Sequence, residues 1–232
     1  MHQPQDLEHP ETLNTLTALT AYGHRQLIEA TLAAQAKTWA VLNQLVTELQ
    51  PGQREADVKA RALSLLAEAG STVNWHSPYV RFGPNTTCTF MDKGHHNVVL
   101  QENDLAFFDL GSVFEGVEGD VGQTIAVGHH PVYADMARQS EAIFEAGVAY
   151  WKTERPTGLV LYRHVNHLIE AAGYQPNLDP AGHLIGSFPH KGVYTDGLNH
   201  YPHYPEPGIW ILEIQFRHPT LDVGAFYEAV LI

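Results

Sequence analysis

The spacing of hydrophobic residues in the first third of the chain is helical. Apolar positions recur every three or four residues between Leu27 and Leu49, and Pro51-Gly52 ends the run. A similar stretch from about Arg54 to Ala69 precedes Gly70, a residue type that often follows a helix. The pattern therefore predicts two consecutive helices.

The pattern then changes to short apolar segments separated by Gly, Pro and Asn, which is typical of β-strands. Three short segments come first: Val73–His76, Tyr79–Phe82 and Thr86–Met91. Residues 104–127 form a longer pair of segments around a central turn. We expect strands in all of these places, the last of them as a β-hairpin.

The second half of the chain repeats this alternation. Pro131 can begin a helix, and a further helical pattern runs from about Gly158 to Ala172. Residues 174–206 are rich in Pro, Gly, His and Asn, which indicates either disorder or a site-forming loop. A final hairpin closes the chain. This order predicts an α+β fold in which residues 25–232 form one domain, preceded by a tail and lead-in over residues 1–24.

Each of the two hairpins carries two acidic residues in apolar surroundings. Asp109 and Asp120 lie in the first hairpin, and Glu213 and Glu228 lie in the second. Folding each hairpin about its midpoint sets the two acids of a pair opposite one another, with both side chains on one face of the sheet. The expected midpoints are Phe114–Glu115 and Thr220–Leu221.

Two carboxylates buried side by side repel each other and are poorly solvated, and divalent cations would neutralise them. The motif Gly182-His183-Leu-Ile-Gly186 adds an imidazole. Four carboxylates and one imidazole suit Mn, Fe, Co or Zn better than Ca, and they can hold two ions about 3.5–4 Å apart. For any single acid, an edge position or a buried ion pair is the alternative explanation.

Composition excludes several classes of partner. The 232-residue chain has a formal net charge of −13, which argues against nucleic acids and anionic membranes. No apolar run reaches the roughly 18 residues of a membrane span, and the N-terminus lacks the apolar core of a signal peptide. The one cysteine, Cys88, fits a reducing compartment, so we expect a cytoplasmic protein.

These motifs resemble those of a known family, the pita-bread metallopeptidases, which include methionine aminopeptidase, aminopeptidase P, prolidase and creatinase. The resemblance rests on four motifs, in order: Asp109-Leu-Gly, Gly119-Asp120 with Thr124, the Gly-His-x-x-Gly loop with His190, and Gly224 with Glu228. It covers about residues 25–232. It implies a curved antiparallel sheet with helices packed on the outside.

The resemblance also implies a role for each matching residue. The family's metal ligands correspond to five positions: Asp109, Asp120, His183, Glu213 and Glu228. A metal-bridging water would attack a carbonyl carbon, with Glu213 accepting and relaying the proton. His190 would help to hold the carbonyl and the oxyanion. The alternative for His190 is a loop histidine bonded to the backbone.

The substrate-binding positions depart from the family pattern. Glu213 lacks the proline that follows it in the family, and Phe226 replaces an arginine found in the aminopeptidase P and prolidase branch. The family's second active-site histidine would lie near Phe90, where there is none; His76 is either its substitute or an ordinary surface or strand histidine. Arg217 either brings a cation to the site or lies at a hairpin tip. We treat His76, Phe90 and Arg217 as candidate substrate-binding residues.

The sequence accordingly predicts a dinuclear metal-dependent hydrolase, similar to an aminopeptidase or Xaa-Pro peptidase, that cleaves a peptide or peptide-like amide bond. Two alternatives stay open: a small-molecule C–N hydrolase or lyase on the same scaffold, and an inactive binding module. Retention of all five ligand positions argues against the binding module. The expected cofactor is two divalent ions per chain, and the expected partner is a small peptide or amide. Because members of the resembled family often associate, we expect this protein to form a homodimer.

Overall fold

The structure is a computed structural model, and it describes residues 24–177, 181–189, 194 and 196–232. The described part opens with two helices, α1 (His24–Thr47) and α2 (Glu55–Glu68), as the helical spacing predicts. Of the expected tail over residues 1–24, only residue 24 lies within the described part.

Seven β-strands form one antiparallel sheet, in the order β1–β3–β4–β7–β6–β5, with β2 also paired to β3. Their bounds are β1 Val73–Asn74, β2 Tyr79–Phe82, β3 Asp104–Phe114, β4 Val117–Val127, β5 Gln175–Pro176, β6 Ile211–Arg217 and β7 Gly224–Val230. Helices α3 (Pro131–Glu154) and α4 (Gly158–Ala171) separate β4 from β5 along the chain. The predicted α+β organisation is confirmed.

Two groups of helices pack on the same face of the sheet. Helices α1 and α2 share an apolar cluster with β2, β3 and β4 that includes Phe108. Helices α3 and α4 share another with β6 and β7 that includes Leu212. Successive side chains of a strand point to opposite faces. Asp109 and Glu213, the neighbours of these two residues, therefore point to the face that the helices leave open.

The first hairpin differs in register from the prediction. The two turn residues, Glu115–Gly116, both have positive φ (53° and 79°), as in a type I′ turn. The midpoint therefore lies one residue later than expected. Asp109 pairs with Gly122, and Asp120 pairs with Gly111. The prediction that the two aspartates are directly opposed is wrong: they are diagonal neighbours on one face.

The second hairpin has the predicted register, with Glu213 directly opposite Glu228. The two hairpins meet where β4 runs beside β7, over only two paired positions. Thr124 reinforces this junction, because its hydroxyl donates to the carbonyl of Phe226 (2.9 Å) and accepts from the N–H of the same residue (2.7 Å). One side chain thus replaces the backbone bonds that further pairing would supply.

The segment Thr86–Met91 is not a strand, contrary to the prediction. A 3₁₀ helix occupies Gly83–Thr87 instead. The hydroxyls of Thr86 and Thr87 donate to carbonyls three residues earlier in the chain, at 2.5 and 2.8 Å. Such local bonds compete with strand pairing, and here they override the β-propensity of threonine.

The irregular stretch at residues 174–206 contains little regular structure in its described part, namely strand β5 and the 3₁₀ helix Leu198–His200. None of the helices in the described residues is long and apolar enough to cross a membrane.

Candidate metal centre

Four strands bring the predicted acids into one row across the open face of the sheet. Asp109 on β3 pairs with Gly122 on β4, Gly122 pairs with Glu228 on β7, and Glu228 pairs with Glu213 on β6. Asp120 lies two residues along β4 from Gly122 and so points to the same face. The register alone therefore gathers four carboxylates, and the ring of Phe226 occupies the space over Gly122 where a side chain would lie.

His183 joins the carboxylates from the loop that precedes β6. Its Nε2 lies 3.2 Å from Asp120 Oδ2, and its Nδ1 lies 2.8 Å from the carbonyl of Leu184. The preceding Gly182 has a φ of +67°, and its N–H donates to Glu213 Oε2 at 3.0 Å. Glycine adopts this conformation without a steric penalty, which explains why the histidine follows a glycine.

Two of the carboxylates are buried and two are half-buried, and oxygens of three of them lack ordinary hydrogen-bond donors among the described residues. Asp120 and Glu228 are 0% and 2% exposed. Apart from nearby imidazoles and carboxyls, no donor among the described residues reaches Asp109 Oδ1, either oxygen of Asp120, or Glu228 Oε1. Buried anionic oxygens are costly unless they are compensated, so this donor set fits divalent cations.

The pKa values divide the acids into two groups. Burial raises the pKa of Glu213 to about 7, and the aspartates add to the rise against the opposing charge of His183. Burial and the neighbouring carboxylates likewise raise the pKa of Glu228 well above its usual range. Burial acts in the same direction on Asp120, but His183 and His76 outweigh it and hold that pKa below its usual range. The negative charge of the glutamate pair is therefore compensated less by the nearby histidines than that of Asp120.

His76 also reaches the centre, from the segment between β1 and β2. Its Nε2 lies 3.1 Å from Asp109 Oδ1 and 3.6 Å from Asp120 Oδ1. Burial lowers the pKa of His76, but the two aspartates outweigh it and raise that pKa well above its usual range. The structure thus brings one of the three candidate substrate-binding residues directly against the acids.

Phe90 lies at the edge of a narrow pocket that opens onto Asp109 and Glu213, and its side chain is 47% exposed. The pocket has a volume of about 10 Å³, roughly what one water molecule requires. Its walls are largely aromatic: Tyr79, Phe90, Phe107 and Phe226. Phe226, which replaces the family arginine, stacks on Phe107 with ring centroids 5.0 Å apart.

Arg217 lies apart from the acids. It is exposed at the end of β6 and lines a separate open cavity of about 560 Å³ together with Tyr162 and Arg163. The adjacent His218 accepts bonds from the backbone of the hairpin tip. The remaining predicted residue, His190, lies outside the described residues.

Tyr162 supports the centre, although the sequence pattern did not indicate it. Its hydroxyl donates to the carbonyl of Glu213 (2.9 Å) and accepts from the N–H of the same residue (3.1 Å). Tyr162 is buried on α4 among core residues. Only the presence of a hydroxyl on a buried helix face distinguishes it from an ordinary apolar position.

Sequence comparison places the chain among metallopeptidases. A family model described as metallopeptidase family M24 matches residues 29–226. Over 200 residues the chain is 26% identical to the methionine aminopeptidase of Clostridium acetobutylicum, and the alignment covers 80% of this chain and 75% of that protein.

The fold is similar to those of several solved peptidase structures. The X-Pro aminopeptidase from Thermotoga maritima gives a TM-score of 0.75 at 15% identity, covering 94% of this chain and 62% of that one. The prolidase from Pyrococcus horikoshii gives a TM-score of 0.73 at 17% identity, and the match covers 88% of this chain and 58% of that one. The methionine aminopeptidase from Thermotoga maritima gives a TM-score of 0.69 at 17% identity, and the match covers 88% of this chain and 92% of that one. The chain spans about three fifths of the length of the first two structures.

These similarities confirm the predicted pita-bread fold, with helices on one face of an antiparallel sheet and acidic residues on the other. The family match extends over most of the sequence, from α1 into β7. On both grounds, this chain belongs to metallopeptidase family M24.

Proposed function

We propose that the chain is a metal-dependent hydrolase that cleaves a peptide or peptide-like amide bond at a centre of two divalent ions. The observation that carries this proposal is the convergence of four carboxylates, two buried and two half-buried, three of which have oxygens without ordinary hydrogen-bond donors among the described residues. The proposed ligands are Asp109, Asp120, His183, Glu213 and Glu228. Mn, Fe, Co and Zn all suit this donor set.

Divalent ions in this centre would supply Lewis-acid activation of water and of the substrate carbonyl. The chain's own contribution to proton transfer is assigned to Glu213. Its Oε2 is held by the N–H of Gly182, which leaves Oε1 to accept and relay a proton. We assign His190 to the stabilisation of the developing oxyanion.

The aromatic side chains beside Asp109 and Glu213 provide an apolar surface for a compact substrate group, such as a proline ring or a small side chain. Such a group would pack at the mouth of the pocket, because the interior has room for only about one water molecule. Since the similar solved structures include a prolidase and an X-Pro aminopeptidase, Xaa-Pro dipeptides are the first substrates to assay. Phe90 stays a candidate wall of this pocket. The exposed position of Arg217 would restrict it to contacts with a distal part of a longer substrate.

The metal assignment is tested by elemental analysis of protein purified without chelator and then loaded with Mn, Fe, Co or Zn. We expect about two ions per chain in the native protein and their loss in Asp120→Asn. Asp104→Asn is the matched control, because Asp104 is also buried on β3 but accepts backbone N–H bonds outside the cluster. A folded native protein that binds no ion would contradict the proposal and favour the binding module.

The reaction is tested on the metal-loaded protein with Xaa-Pro dipeptides, methionyl peptides and small amides, with products identified by mass spectrometry. Addition of water across a cleaved C–N bond supports the hydrolase. Elimination products without added water would instead identify a lyase.

We also propose that the protein is cytoplasmic and forms a homodimer. Sedimentation equilibrium of the metal-loaded protein measures the oligomeric state directly, and a monomer at micromolar concentration would contradict the dimer.

A further inference from the structure

His76 and His183 approach the same carboxylate from opposite ends. His76 Nε2 lies 3.6 Å from Asp120 Oδ1, and His183 Nε2 lies 3.2 Å from Asp120 Oδ2. The first histidine precedes β2, and the second precedes β6, so the two come from unrelated parts of the chain. Asp120 is therefore flanked by one imidazole at each oxygen.

The two imidazoles are also oriented in the same way. Nδ1 of His76 lies 3.0 Å from the carbonyl of Ser77, and Nδ1 of His183 lies 2.8 Å from the carbonyl of Leu184. A carbonyl oxygen can only accept, so each Nδ1 carries a proton. In the neutral ring the lone pair is then on Nε2, the atom that faces the carboxylates. Backbone bonds of this kind commonly fix the tautomer of metal-binding histidines.

The sheet provides room for His76 at Gly111. A Cβ at this position would collide with the ring of His76 and with the indole nitrogen of Trp75. The indole also meets the rings of both histidines, with centroids 4.5 Å from His76 and 4.9 Å from His183. The ring of Tyr79 stacks on that of His76, with the ring centroids 5.6 Å apart. The imidazole is thus packed into one orientation beside the acids.

We propose that His76 is a sixth ligand of the metal centre, so that each ion has a histidine of its own. The structure contains two groups of mutually close ligand atoms: one comprises His76, Asp109 and Asp120, and the other comprises Asp120, His183 and Glu228. Asp120 is common to both groups and is the bridging member. This inference rests on the two-ion centre proposed above, and it replaces the substrate-binding role considered for His76.

A second imidazole changes the expected metal preference. Nitrogen donors favour Co and Zn over Mn more strongly than carboxylates do. The centre with His76 should therefore discriminate against Mn, and removal of the imidazole should reduce that discrimination.

The test is a calorimetric and spectroscopic titration of chelator-stripped protein with Co²⁺. We expect two ions to bind the native protein. In His76→Gln, one of them should bind at least about 10-fold more weakly, with a changed visible absorption band. His183→Gln should weaken the other ion. His96→Gln is the matched control, because His96 is an exposed loop histidine, and its titration should equal that of the native protein.

Gly111→Ala provides a second variant that keeps the imidazole but displaces it, and it should weaken the same ion as His76→Gln. Circular dichroism verifies that each variant is folded. Unchanged Co²⁺ affinity and absorption in both folded variants would overturn the assignment of His76, and a raised KM in them would return it to substrate binding. Failure of the native protein to bind Co²⁺ would instead overturn the proposed two-ion centre.

Discussion

The two acid-bearing hairpins hold their carboxylates in different ways. In the β3–β4 hairpin the aspartates are diagonal, each pairs with a glycine, and two imidazoles lie against Asp120. In the β6–β7 hairpin the two glutamates are directly opposed, and both have raised pKa values. The chain itself balances the charge of the first hairpin. The charge of the second hairpin is compensated less, and His183 is the histidine that acts on Glu213.

The largest expected effect is on the unfolding free energy of the metal-free protein. Neutralising one acid in the first hairpin and one in the second should change this free energy in opposite directions. Asp120→Asn leaves the imidazole of His183 without its nearest anion, whereas His76 keeps Asp109, and it should cost about 3–5 kcal/mol of unfolding free energy. Glu228→Gln relieves repulsion and should stabilise the metal-free fold by about 1–4 kcal/mol. Urea unfolding at pH 8 with chelator measures both. Changes of the same sign would mean that the two hairpins do not differ in this way.

The second effect is a loss of stability with rising pH, confined to the metal-free protein. The folded pKa of Glu213, about 7, lies above the ordinary value of 4.5, so the folded state binds this proton more tightly. The resulting stability is fully present below pH 4.5 and is lost as the pH rises through 7, a change of about 3 kcal/mol.

Scanning calorimetry at pH 5, 6.5 and 8 measures this dependence, with chelator and with saturating metal. Bound metal should flatten the slope, because it favours the ionised carboxylate. Glu213→Gln should reduce the slope in the metal-free protein, and the remaining slope belongs to Glu228, His76 and His183, whose pKa values are also raised. An undiminished slope in that variant would assign the pH dependence to other groups.

The smallest expected effect concerns the junction between the hairpins. Thr124→Val removes both hydrogen bonds between β4 and the backbone of Phe226, and it should destabilise the protein by about 1–2 kcal/mol. Thr124→Ser keeps the hydroxyl and should cost less. Thermal unfolding of the two metal-loaded variants compares them. A larger loss in Thr124→Ser than in Thr124→Val would show that the methyl group matters more than the hydroxyl there.

The sequence predicted most of the centre because strand periodicity and the family motifs both point to the same acids. The direct opposition of Glu213 and Glu228 followed from the midpoint of their hairpin. The same argument gave the wrong register for Asp109 and Asp120, because a two-residue turn, Glu115–Gly116, moved the midpoint by one residue. Register depends on turn geometry, which hydrophobic spacing does not reveal.

The position of His76 could not be predicted in this way, because no strand or helix carries it. Its ring reaches the acids through packing against Trp75, Tyr79 and the open space at Gly111. The contacts of His76 with Gly111, Asp109 and Asp120 join segments that are distant along the chain, so local spacing does not predict them. The strand predicted over Thr86–Met91 was wrong for the opposite reason, because local hydrogen bonds of threonine hydroxyls replace strand pairing there.

The hydroxyl of Tyr162 has a consequence for how a peptide can be recognised. It bonds to the N–H and carbonyl of Glu213 on the edge of β6. On the same edge, the carbonyl of His183 accepts from Ile211 N–H (2.8 Å), and Asn177 N–H donates to the carbonyl of Gln215 (3.0 Å). A peptide therefore cannot add to β6 as an extra strand, the mode that many peptide-binding domains use. Contacts to a peptide on this side of β6 would instead have to come from side chains.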